Sequence, residues 1–205
     1  MLLLYCLSLH SISWSSVLSK GTPTKITVFM ATSLDGFIAD EDGSVEWLNE
    51  LPPPEDSDED MGFGALLQSV DRLVMGRTTF NQVLSFGSWP YGDTPVMVLS
   101  HQAAPRVLPD GATIEFAHGS PETLVQQFKS AGDKHIYLDG GNVIQQFLAA
   151  GLIDEIILTQ VPVLLGSGIS LFKAALDEKL WGVEGVTNYP NGFVQTHFKK
   201  RKPSF

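Results

Sequence analysis

Cysteine is almost missing: Cys6 is the only one in the 205-residue chain. One thiol cannot form an internal disulfide, a CxxC redox pair or a thiolate zinc cage. His10, His101, His118, His135 and His197 show no HxxxH or HExxH spacing, so no metal site is expected. Positive charge is scarce. Lys and Arg number 13 against 23 Asp and Glu, a net −10, and the pI is near 4.8. The clustered cations that hold nucleic acid are lacking, and no nucleic-acid partner is expected. The apolar start, Met1 to Leu9, falls well short of the about 20 residues that span a bilayer, so no membrane partner is expected either.

The first 19 residues carry no acidic or basic side chain, and Ala-x-Ala is absent before Lys20. A secretory leader wants a positive start and a small-residue cleavage site. Residues 1–24 therefore read as a disordered extension outside the core, with a targeting peptide or a packed element as alternatives. Residues 25–205 read as one domain, long enough to bury a single core. Hydrophobic residues make up 43% and charged residues 18%, the balance of a folded domain. The terminal Lys199-Lys200-Arg201-Lys202 reads as a solvated tail after the last strand.

Lys25–Met30 is a β-branched apolar run that predicts a buried strand. Residues 40–60 hold ten acids, no Lys or Arg, and Pro52-Pro53-Pro54, which predicts a loop with at most a helical turn around Trp47. Beyond it strands and helices alternate. Helices are predicted over Gly62–Val70, Thr78–Leu84, Glu122–Ser130 and Asn142–Ala150. Strands are predicted over Arg72–Met75, Pro95–Leu99, Thr113–Phe116, His135–Leu138 and Ile153–Thr159. Val183–Asn188 and Phe193–Phe198 flank Tyr189-Pro190-Asn191-Gly192, which reads as a hairpin turn. The class is α/β: a mostly parallel sheet, helices on both faces, and a C-terminal antiparallel hairpin.

Two stretches share one design. In VMGRTTF (Val74–Phe80) a strand meets Gly76 and a helix begins at once; in IYLDGGNVIQQFL (Ile136–Leu148) a strand meets Gly140-Gly141 and another begins. A helix N-terminus offers unpaired amides and partial positive charge, a seat for phosphate. Arg77 adds a forked cation. Two such seats on one sheet suit a dinucleotide pyrophosphate. Each also has a plainer reading, Gly-Gly as a tight turn and Arg77 as a surface ion pair.

The order SLDGFIA (Ser33–Ala39), VMGRTTF, VLSH (Val98–His101), DGGNVIQQFL (Asp139–Leu148) and GLIDEIILTQVPVLLGSG (Gly151–Gly168), followed by Leu171-Phe172, resembles the dihydrofolate reductase-like superfamily. It is most similar to the branch of the bacterial riboflavin-biosynthesis reductase, the RibD C-terminal domain. The resemblance spans about Lys25 to Phe198. It implies a cytoplasmic, homodimeric reductase that uses NADPH on a small heterocyclic or carbonyl substrate, closest to a phosphoribosylaminouracil. Pterin reduction and a non-catalytic nucleotide-binding domain are the alternatives.

Carried over by residue, Gly76, Arg77, Thr78 and Thr79 match one cofactor-phosphate seat, and Gly140, Gly141, Asn142 and Val143 the other. Leu99, Ser100 and His101 match the strand end at the adenosine and its 2′-phosphate, with Arg106 nearby. Ala31, Gly36 and Ile38 match the strand and loop at the nicotinamide. Asp60 matches the catalytic carboxylate of dihydrofolate reductases, which would be buried near the nicotinamide, but it also ends a solvated acidic run and is a natural N-cap for the helix from Gly62. Asp35 is a second catalytic candidate or a turn former. Trp47 either lines the substrate pocket or pins the acidic loop. The HxE and PCxxC of the zinc deaminase joined to the riboflavin reductase are absent, which excludes deaminase chemistry.

Overall fold

The computed structural model describes residues 23–49, 60–105, 107–172 and 180–201. Its centre is an eight-stranded sheet. In chain order the main strands are β1 (Lys25–Thr32), β3 (Arg72–Gly76), β4 (Val96–Leu99), β5 (Ile114–Ala117), β6 (His135–Asp139), β7 (Glu155–Gln160), β9 (Trp181–Asn188) and β10 (Val194–Lys200). They lie in the order β5-β4-β3-β6-β1-β7-β10-β9. The six from β5 to β7 run parallel, and β10 and β9 complete the sheet antiparallel. The predicted turn closes that last hairpin, with Gly192 N–H donating to Tyr189 O at 2.9 Å.

The parallel strands are apolar on both sides because both sides are covered. Val74, Met97, Ile136 and Leu138 face one layer with α3 (Pro121–Ala131) and α4 (Gly141–Ala149). Their neighbours Leu73, Met75, Val96, Val98 and Tyr137 face the other, with α1 (Phe63–Ser69) and α2 (Arg77–Ser85). The period of two along each strand thus feeds two cores. Ser120 caps α3 by accepting from Thr123 N–H, as its place before the helix predicts.

Three features differ from the sequence reading. SLDGFIA holds a short strand, β2 (Phe37–Ala39), paired with β8 (Ile169–Ser170) after the Gly166-Ser167-Gly168 turn. Three- and two-residue strands are too short for a periodicity signal. Thr24, placed with the extension, is buried, and its hydroxyl donates to Asp133 O at 2.8 Å. The basic cluster is not all tail: Lys199 and Lys200 lie in β10, Lys199 Nζ is 3.7 Å from Glu155, and Lys200 Nζ donates to Gly151 O at 2.5 Å. Residues 1–22, residues 50–59 of the acidic proline-rich stretch and Arg106 lie outside the described residues.

Candidate active site

β3 and β6 are adjacent and parallel, so both end at the same edge of the sheet. Each passes directly into a helix, β3 through Gly76 into α2 and β6 through Gly140 into α4. Neither helix has a side-chain cap, so their first-turn amides open onto one cleft of about 500 Å³. Gly76, Arg77, Thr78 and Thr79 line it from α2, and Gly140, Gly141, Asn142 and Val143 from α4. Leu99 closes one side, and Ile38 and Ile169 of the small β2–β8 sheet form the opposite wall. Gln145 Nε2 ties α4 to that wall at Ser170 O, 2.7 Å, and Gln82 Nε2 ties α2 to Gly43 O, 3.1 Å.

The glycines have separate reasons. Gly140 has φ +86° and ψ 131°, a positive-φ backbone that L side chains rarely adopt, and a Cβ there would run into Thr79 of the facing helix. At Gly141 a Cβ would meet only the mobile end of the Ile38 side chain.

Arg77 lies at the outer end of the cleft. Its Nε donates to Ser100 Oγ at 3.2 Å and Nη2 to the carbonyls of Gln102 and Ala103, at 3.2 and 2.5 Å. The guanidinium carbon lies 4.7 Å over the Phe116 ring. Nη1 has no partner among the described residues and remains free to donate. Ser100 and His101 follow β4 just outside the cleft lining, with His101 exposed.

The cleft also contains a group that sequence reasoning passed over. Asp139 ends β6 and lines the cleft, the one carboxyl to do so among the described residues. Gly140 N–H donates to its Oδ1 at 2.7 Å and the Tyr91 hydroxyl to its Oδ2 at 3.2 Å. Burial pushes its pKa above the usual carboxylate range, against the opposing pull of those two bonds. Burial, and then the Asp139 charge, push the Tyr91 phenol up as well. The Asp of DGG was legible, but its glycines drew the attention. Tyr91 reaches Asp139 from a loop 48 residues away in sequence, a contact no local pattern announces.

The two carboxylates singled out from the sequence lie outside the cleft lining, in the structural roles that were their alternative readings. Asp35 accepts from the Ser33 hydroxyl at 2.6 Å, Leu165 N–H at 3.2 Å and Gly166 N–H at 2.7 Å. It latches the β1–β2 turn to the 161–168 loop, and the Ser33 hydroxyl foremost, then the two amides, holds its pKa down. Asp60 is exposed, not buried, and accepts from Gly62 and Gly64 N–H at 2.9 and 2.6 Å, the capping role at the start of α1. Trp47 is buried against Val161 and Phe193 and does not line the cleft; it pins its loop to the core. Ala31 packs on the same cluster, and Gly36, at φ +87°, turns the chain into β2. Neither lines the cleft.

A mainly parallel eight-stranded sheet, with two helix N-termini opening on one cleft at its edge, is the dihydrofolate reductase-like fold. Dihydrofolate reductase of Enterococcus faecalis shares it, with a TM-score of 0.57 at 14% identity over 87% of this chain and 97% of that one. Within that fold, residues 24–195 match the family model of the RibD C-terminal domain, and the chain belongs to that family of reductase domains. It is similar to a putative riboflavin biosynthesis protein of Shewanella sp. PV-4, with 37% identity and a TM-score of 0.78 over 87% of this chain and all (100%) of that one. It is also similar to YwjB, an uncharacterised protein of Bacillus subtilis, 31% identical over 176 residues, 85% of this chain and 97% of the relative. No helix among the described residues is long and apolar enough to cross a membrane.

Proposed function

We propose that the protein is an NADPH-dependent reductase of a small heterocyclic substrate, of the phosphoribosylaminouracil kind that the Thermotoga maritima deaminase/reductase of the same fold is named for. The observation that carries this reading is the pair of uncapped helix N-termini facing one cleft. Each offers its amides to a phosphate, and the two together suit a pyrophosphate. The volume, about 500 Å³, lies within the about 300–1,000 Å³ of small-molecule sites. The free Nη1 of Arg77 supplies a charge-assisted donor beside the α2 seat.

A bound nicotinamide would supply the hydride. The chain's own part is placement and the proton. α2 and α4 hold the phosphates, and the β2–β8 wall with Ile38 and Ile169 supplies apolar cover. Asp139, whose pKa burial raises, stands at the cleft floor as the acid to deliver a proton to the atom that becomes basic as hydride arrives. Tyr91 fixes the orientation of that carboxyl. Homodimerisation through β9 fits this reading, since that edge strand exposes Val183 and Val186.

The test is oxidation of NADPH by the purified full chain with a panel of ribosylaminopyrimidines, dihydropteridines and simple aldehydes. Turnover of a pyrimidine supports the assignment. Cofactor binding without turnover of any of them contradicts it and leaves a nucleotide-binding domain.

A further inference from the structure

Among the described residues, Met61 is the one other than glycine with a positive φ, at 55°. A side chain in that conformation persists only where its surroundings hold it. Gly62 follows at φ +86°, so the chain turns sharply as it enters α1. The turn sends neighbouring side chains to different clusters. Met61 packs on Trp47, Val161 and Phe193, whereas Phe63 packs with Tyr91 and Tyr137. The hold on Met61 comes from across the sheet. Gln195 of β10 donates from Nε2 to the Met61 carbonyl at 3.1 Å and to Thr159 Oγ1 at 3.0 Å, and its Oε1 accepts from the Tyr189 hydroxyl at 3.3 Å. A carbonyl can only accept, so the Met61 partner fixes which end of the amide faces α1. The backbone of β10 pairs with β7 and β9 on its own, so the sheet does not need this amide. Phe63 in turn touches both phenols beside Asp139: its ring centroid lies 6.4 Å from that of Tyr91 and 6.3 Å from that of Tyr137, both edge-on. Burial, and then the Asp139 charge, raises the pKa of each of these phenols.

We propose that Gln195 is a positioning residue of the reductase site: by holding the Met61 carbonyl it keeps the positive-φ entry into α1, through which Phe63 holds the Tyr91 hydroxyl on Asp139. The inference rests on the reading of Asp139 as the acid of the reaction and extends it to a residue of the antiparallel half of the sheet. Gln195 does not line the cleft, so it acts through Met61 and Phe63 and not on a ligand there. A glycine at position 61 would take the positive φ unaided, and the bond from Gln195 would then be dispensable.

The experiment follows the Asp139 carboxyl carbon by NMR across pH in the full chain, for wild type, Tyr91→Phe, Gln195→Leu, Met61→Gly and the double variant Gln195→Leu/Met61→Gly. Thermal melts confirm folding. Gln195→Glu, which keeps an acceptor for Tyr189 but opposes an acceptor to the Met61 carbonyl, replaces the leucine variant if that one does not fold. Tyr91→Phe removes a bond that favours the ionised carboxylate, so it raises the midpoint. Gln195→Leu should move the midpoint the same way, with a roughly threefold gain in proton affinity. Met61→Gly alone should leave the midpoint in place, and in the double variant it should restore the wild-type value. In turnover, kcat should fall in Gln195→Leu with the KM for NADPH unchanged. An unmoved midpoint in the folded Gln195 variant, or a shift that Met61→Gly does not reverse, overturns the proposal. Wild type that turns over no substrate contradicts the reductase reading instead, and a shifted, rescued midpoint still shows that Gln195 acts on Asp139.

Discussion

The Tyr91 hydroxyl donates to Oδ2 of Asp139 across 3.2 Å, joining the loop before β4 to the last residue of β6 at the floor of the cleft. Trp89 and Phe63 hold the Tyr91 ring edge-on, with centroids at 5.1 and 6.4 Å, so the hydroxyl has little freedom. The carboxyl is fixed before any ligand arrives.

This pair gives a pH signature. Burial raises the Asp139 pKa in the folded state above its unfolded value, about 3.9. Its favourable contribution is therefore complete below the unfolded value and is lost as pH rises through the folded one. Asp139→Asn should thus melt progressively higher relative to wild type as pH rises from the unfolded value through the folded one. Tyr91→Phe removes a bond that favours the ionised form and should move the loss to higher pH. Melting profiles of wild type and Asp139→Asn that run parallel across pH would remove the buried-acid assignment.

Gly140 should tolerate a side chain less well than Gly141. Gly140→Ala places a Cβ on a positive-φ backbone and against Thr79. The strained backbone alone costs about 1–3 kcal/mol. Gly141→Ala displaces only the tip of Ile38, which can rotate away. Chemical denaturation of the two variants should rank them in that order; equal losses would contradict the structural reason given for each glycine.

Asp35 should act on loop order. Its carboxylate holds the Leu165 and Gly166 amides, so Asp35→Ala should speed hydrogen exchange at both. Because its pKa is lowered on folding, the latch is present above the unfolded value and weakens as pH falls through the folded one. Slow exchange at both amides in the variant would show that the latch is dispensable.

What was legible in the sequence follows from what local patterns encode. The two strand–glycine–helix units are local, and their partnership needs only that β3 and β6 be neighbours. Ser120 announces α3 for the same reason. The β2–β8 wall was hidden because five residues in two pieces, more than 120 apart, leave no period to read. The carboxylates kept two readings each for a related reason. An Asp one or two residues before a glycine is much the same text whether it accepts from the first-turn amides of a helix, as Asp60 does, latches a loop, as Asp35 does, or faces a cleft, as Asp139 does. Burial and the partner across the fold tell them apart, and both are tertiary facts. Tyr91 likewise gains meaning only from Asp139.

The most direct measurement is the titration of NADPH into wild type and Arg77→Ala, followed by calorimetry, with folding of both confirmed. Binding of one NADPH per chain is expected in wild type, and a roughly tenfold or larger rise in Kd in the variant, matching the loss of about 1.5–3 kcal/mol for a hydrogen bond to a charged group. No heat of binding in wild type, or equal affinity of the two proteins, would contradict the assignment of the α2–α4 cleft to the dinucleotide.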